Sequence, residues 1–130
     1  MTDILNMIGD EISSLSGDIN APFKPHAYYD KHLDCIRVHL ENKSFTEERL
    51  DPYLTLWFAN HENDNRGVGF TIKGVRYLYK QIGLDESKAY ELAALIDIMV
   101  QEYPSESFNT VREAYRARLE QEKISVSLAA

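Results

Sequence analysis

The sequence predicts an α+β fold: an antiparallel β-meander of four or five strands, flanked by an N-terminal helix and two or three C-terminal helices. Two patterns predict it. From about residue 26 to residue 73 apolar side chains recur at every second position, the period of a half-buried strand. Before residue 17 and after residue 74 they recur at three- to four-residue spacing, the period of an amphipathic helix. A chain of 130 residues is the size of one ordinary domain, so 1–130 is read as a single domain with enough length to bury a core.

The elements follow in order. Residues 2–16 carry Ile4, Leu5, Ile8, Ile12 and Leu15 on one helical face. Thr2 or Asp3 can cap this helix and Gly17 stops it. Asp18 to Pro25 holds two prolines and reads as a connection. HAYYD is a short strand, with Lys31 and His32 in the turn after it. In LDCIRVHLE, Ile36, Val38 and Leu40 share one face, and Cys35, Arg37, His39 and Glu41 the other. Ser44 to Leu50 is a weaker strand candidate. YLTLWF places Leu54, Leu56 and Phe58 on one face and Tyr53, Thr55 and Trp57 on the other. The same stretch also fits a helix, with Asp51-Pro52 as its start and Leu50, Leu54, Trp57, Phe58 and His61 on one face. Its β-favouring composition and the turn-rich HENDN after it select the strand. GVGFTIK points Val68, Phe70 and Ile72 inward and turns Gly67 and Gly69 to the other side, where something bulky can approach.

The helical part spans residues 74–123. A first helix begins near Gly74, carries Val75, Leu78, Tyr79 and Ile82, and ends at Gly83. A second is expected from the cap Asp85 to about Glu102, with apolar residues around more than half its circumference. It should therefore touch two layers: Leu92, Ile96 and Met99 on the sheet, Leu95 or Ile98 on a second helix. Pro104 breaks it. A third runs from Ser105 or Ser107 to about Lys123 on the stripe Phe108, Val111, Tyr115 and Leu119. The tail, 124–130, is either frayed or an added edge strand.

Residues 28–73 resemble a widespread group of small, functionally uncharacterised bacterial β-meander proteins. The matching features are Tyr29-Asp30 with a second aspartate at Asp34, the strand Ile36 to Leu40, Leu50-Asp51, and GVGFTI from Gly67 to Ile72. The loop from Asn60 to Arg66 is longer than the usual turn of that group. The resemblance implies an antiparallel sheet and no activity.

Charge and composition narrow the function classes. The net charge is −7, with −4 in residues 1–20, +1 in 21–84 and −4 in 85–130. An acidic surface repels a phosphate backbone, so direct nucleic-acid binding is disfavoured. Cys35 is the single cysteine, which excludes an intramolecular disulfide and fits a reducing compartment. No basic stretch precedes the first apolar residues and no apolar run approaches the roughly 20 residues of a membrane span. A cytoplasmic protein without a membrane segment is expected.

No motif with catalytic or metal-ligand spacing occurs. His26, His32, His39 and His61 lack such spacing. Cys35 and His39 lie about 13 Å apart along one strand, too far to share a zinc ion. No catalytic residue, cofactor or metal is assigned. The informative feature is the outer face of the sheet, where Trp57 and Tyr53 would lie beside Arg37 and His39 if their strands are neighbours. Trp, Tyr and Arg dominate binding hot spots. The leading reading is a non-enzymatic protein-binding module of a small bacterial or phage-type protein, whose partner is another protein or a second copy forming a homodimer. One alternative is an acidic inhibitor that imitates nucleic-acid charge with its terminal carboxylates. Another is an enzyme with a site scattered over His39, His61, Glu48, Asp51 and Cys35.

Overall fold

Every strand read from the period of two forms. The computed structural model describes residues 22–60, 67–103 and 105–129. The helix predicted for residues 2–16 lies outside the described residues. The strands of the main sheet are β1 His26–Asp30, β2 Cys35–His39, β3 Phe45–Arg49, β4 Leu54–Ala59 and β5 Gly67–Lys73. They are followed by α1 Val75–Ile82, β6 Ala89–Glu91, α2 Leu92–Glu102, α3 Glu106–Glu122 and β7 Ser125–Ser127. The sheet is antiparallel with the order β1-β2-β5-β4-β3. The hairpin β1-β2 and the meander β3-β4-β5 thus share β5 as the central strand. The contested segment is the strand β4, and Asp51 sets its start: its carboxylate accepts the Tyr53 and Leu54 N–H groups, both at 2.8 Å.

Local turn chemistry aligns the first hairpin and ties it to the helices. The Asp30 carboxylate accepts the backbone N–H groups of His32 and Leu33 at 3.0 and 3.2 Å, an Asx-type turn. Asp34 takes the left-handed conformation at φ 52. Its side chain accepts the Tyr29 hydroxyl at 2.6 Å and the Arg76 N–H at 3.1 Å. Gly74, which precedes α1, has no side chain to cap it. Asp34 therefore satisfies an orphan donor of a helix that begins 41 positions later. At the other end, Gly83 closes α1 in the left-handed region at φ 77.

One sheet face and all three helices form a contiguous core. Ile36, Val38, Leu54, Phe70 and Ile72 from the sheet are fully buried, as are Val75 and Leu78 of α1. Leu92, Leu95, Ile96 and Met99 of α2 and Phe108 and Val111 of α3 complete it. The α3 stripe is the predicted one, and Ser105 caps it by accepting the Phe108 N–H at 3.1 Å. Helices α2 and α3 pack together, and the Arg116 guanidinium crosses between them to the Asp97 carboxylate at 2.8 Å.

Two expectations need correction. The second helix starts at Leu92, not at Asp85. The Asp85 carboxylate accepts both the N–H and the hydroxyl of Ser87, which makes a tight turn. The next residues form β6, paired with the tail strand β7 so that Tyr90 opposes Val126. The tail is thus an added strand, and its pairing holds residues 89–91 extended. The second correction is Gly67. The β4–β5 register passes from Trp57↔Gly69 to Phe58↔Gly67, leaving Val68 as a bulge. The bulge turns Gly67 toward α3, where a Cβ would overlap the Tyr115 ring. Tyr115 and Arg118 of α3 reach the carbonyls of Gly69 and Gly67 at 3.4 and 3.3 Å.

Ile96 has no exposed surface, and an unpaired carboxylate at that position costs several kcal/mol, comparable to a total stability of about 5–15 kcal/mol. Ile96→Asp is expected to unfold the protein, and Leu95→Asp, equally buried on a helix packed against α3, to be nearly as damaging. Circular dichroism during urea titration measures both. A folded Ile96→Asp protein of unchanged midpoint would contradict this packing.

Candidate functional site

The opposite face of the main sheet carries side chains outside the contiguous core formed with the described helices, and Cys35, Thr55, Trp57 and Thr71 on it are buried. Alternation dictates which ones. One cross-strand row reads His26, His39, Gly69, Trp57, Glu47, and the next reads Tyr28, Arg37, Thr71, Thr55, Arg49. Arg37, His39 and Trp57 therefore share a face, as the sequence indicates. Their strands are not neighbours, because β5 lies between β2 and β4. They still meet, since the intervening residue is Gly69. A Cβ there would overlap the Trp57 ring and the Val38 carbonyl. The indole fills that empty position and is only 1% exposed, although it lies outside the contiguous core.

Trp57 is held from several sides. Its Nε1–H donates to the Thr71 hydroxyl at 2.9 Å. The Phe45 ring stacks on it at 4.3 Å with planes 8° apart, and the His39 ring meets it edge-on at 4.7 Å. The Arg37 guanidinium lies 4.8 Å from the indole centre, within cation–π range. Toward the β1 edge the row continues as nearly parallel rings, His39 on His26 at 4.9 Å and His39 on Tyr28 at 5.7 Å, with the tilted Phe23 ring beside His26 at 5.7 Å. Trp57 itself is thus a buried support. The surface of the site is made by Tyr28, 44% exposed, and Phe23, 36% exposed.

Tyr53 does not join this group. It precedes β4, and the Asp51 turn directs its ring toward the helices. There it lies 6.3 Å from Tyr77 of α1 and 5.4 Å from Tyr103 after α2. Phe45, His26 and Tyr28, which complete the row, were not singled out from the sequence. The turn at Lys31 to Asp34 sets Asp30 opposite Cys35 and hence His26 opposite His39. Counting back from that turn would have found the pair.

Electrostatics distinguish the two ends of the face. Burial, then the neighbouring His26 and the positive Arg37, push the His39 imidazole down to about 4. Burial raises the Cys35 thiol above its usual range, which keeps it protonated. The Thr55 hydroxyl is buried and has no partner among the described residues.

Those residues of a scattered active site that are described do not converge. Cys35 is buried beneath the sheet face, Asp51 caps the β4 turn, and Glu48 is exposed on the edge strand β3. His61 lies outside the described residues. Among the described residues no three His, Cys, Asp or Glu side chains gather as a metal site. No described helix is long and apolar enough to cross a membrane. A depression of about 410 Å³ at the α2–α3 junction is lined by Val100, Ser105, Glu106 and Asn109 and is shallow and open. No family model matches the chain, and comparison with curated proteins and with solved structures finds no match.

The native state holds His39 neutral, with a pKa below the unfolded value of about 6.5. Its contribution to stability is complete above that value and is lost as pH falls toward 4. Between pH 7 and pH 4.5 the loss from this residue is about 2 kcal/mol. His39→Gln, which cannot gain the proton, is expected to lose that much less stability over the same interval. Urea unfolding at the two pH values measures it, and identical acid losses in the two proteins would show that His39 is not held neutral by the fold.

Proposed function

We propose that the chain is a non-enzymatic protein-binding module that docks its partner, another protein or a second copy of itself, on the outer face of the five-stranded sheet. One observation carries the reading: a continuous row of rings, Phe23, His26 with Tyr28, His39, Trp57 and Phe45, laid across four strands and away from the helical core. Rigid rings supply large contact area at little entropy cost, and aromatic residues with arginine are the usual anchors of interfaces. The buried Trp57 holds the row from beneath, which pre-organises the exposed Tyr28 and Phe23. The edge strand β3 exposes Glu47, Glu48 and Arg49, and such charged edges oppose strand-to-strand pairing. This favours docking on the sheet face over extension of the sheet.

Trp57 is the only tryptophan and lies within the row, so its emission reports on the site. Light scattering at increasing concentration tests the second copy as partner. Selection from a displayed peptide library tests other proteins. Self-association or selected peptides are expected to shift Trp57 emission, and the double variant Phe23→Ala/Tyr28→Ala to weaken either by about tenfold or more. Binding that is unaffected by the double variant, or a monomer that selects no peptide, would contradict the proposal.

A further inference from the structure

Arg37 is the charged group that lies against the indole of the outer face. Its guanidinium rests on Trp57 at 4.8 Å, and among the described residues it makes no hydrogen bond and no ion pair. A guanidinium offers five N–H donors and accepts nothing, so its natural counterpart is a carboxylate bound in bidentate fashion. Stacking on an aromatic ring fixes the plane of the group while leaving its edge available, which reduces the ordering cost of that contact. Lys73, opposite Cys35 on β5, and Arg49, in the same cross-strand row as Arg37, add positive charge to the face. Asp30 and Glu47 are the acids on the same face. Among the described strand residues it therefore carries three fixed positive charges against two negative, Glu41 lying beyond β2 and pairing with Arg118 of α3, in a protein whose net charge is −7.

Resting on the protein-binding reading, we infer that the partner presents an extended acidic segment, with a carboxylate on Arg37 and an aromatic or apolar neighbour on Tyr28. Tyr28 and Arg37 are directly opposed across β1 and β2. Side chains two positions apart on an extended peptide share a face and lie about 7 Å apart, within reach of two long side chains opposed on neighbouring strands. A single carboxylate senses mainly the local face, since salt screens charges beyond about 8 Å. A nucleic-acid strand would instead bring many phosphates toward a protein of net charge −7, which opposes its binding.

The test uses three probes at 0.15 M salt: a hexapeptide of serines carrying tyrosine and aspartate two positions apart, its counterpart with asparagine, and oligothymidylate. Binding is read from the Arg37 Nε and Trp57 Nε1 signals in nuclear magnetic resonance titrations of the full chain. The aspartate peptide is expected to bind about tenfold tighter than the asparagine peptide. Arg37→Gln should abolish that preference, leaving the two peptides equal in affinity. Equal affinity of the two peptides for the unmodified protein would overturn the carboxylate inference while leaving the protein-binding reading intact. Tighter binding of the oligonucleotide than of the aspartate peptide would overturn it as well. If neither peptide moves the two signals, the carboxylate inference falls, while the protein-binding reading is decided by self-association and peptide selection. The aspartate–asparagine comparison on the unmodified protein decides the matter even if Arg37→Gln does not fold.

Discussion

The contact between the Trp57 indole and the vacant side-chain position of Gly69 organises the outer half of this structure. β5 is the central strand, and position 69 lies between Trp57 on β4 and His39 on β2. Any side chain there would occupy the volume the indole takes. Because it is empty, the largest side chain of the protein lies across the middle of the sheet and two non-adjacent strands come into ring contact. Phe45, His39 and Arg37 then pack around the indole, and His26 and Tyr28 extend the row to the edge. The same strand anchors the other layer. Immediately before Gly69, the bulge at Val68 turns Gly67 under Tyr115, and α3 reaches two of its carbonyls.

Much of this was legible because it is local. Alternation placed Ile36, Val38, Phe70 and Ile72 in the core and Arg37, His39 and Trp57 opposite them. The helical stripe of α3 and the two ends of α1 followed from spacing, a serine cap and a glycine stop. Other features depend on residues far apart in the chain. The order that puts β5 between β2 and β4 arises from pairing over a separation of some thirty positions, which no short-range period encodes. Ala89 to Glu91 becomes a strand only because Ser125 to Ser127 pairs with it, so a helix drawn through Asp85 had no local contradiction. Tyr53 illustrates a smaller failure. Alternation was extended one residue beyond the strand, to a position where the Asp51 turn controls the ring's direction.

The aspartates of the first hairpin show how a functional-looking motif can be structural. Asp30 closes its own turn, and Asp34 joins Tyr29 to the start of α1. Their carboxylates are consumed by backbone and tyrosine donors. Arg37, by contrast, has no acceptor among the described residues although it lies against the indole of the aromatic row. Polar groups with their partners in place explain stability, whereas the guanidinium N–H donors of Arg37 remain available to a partner. This contrast separates the binding reading from the general acidity of the chain.

The account stands on Gly69 as the position that admits Trp57. The most direct measurement is the urea unfolding of Gly69→Ala, followed by Trp57 emission and near-ultraviolet circular dichroism. The account predicts a loss of about 1–3 kcal/mol, the cost of overfilling a packed site. It also predicts a changed tryptophan environment, with helical content retained below the unfolding midpoint. An alanine variant of unchanged stability and unchanged tryptophan signal would contradict it.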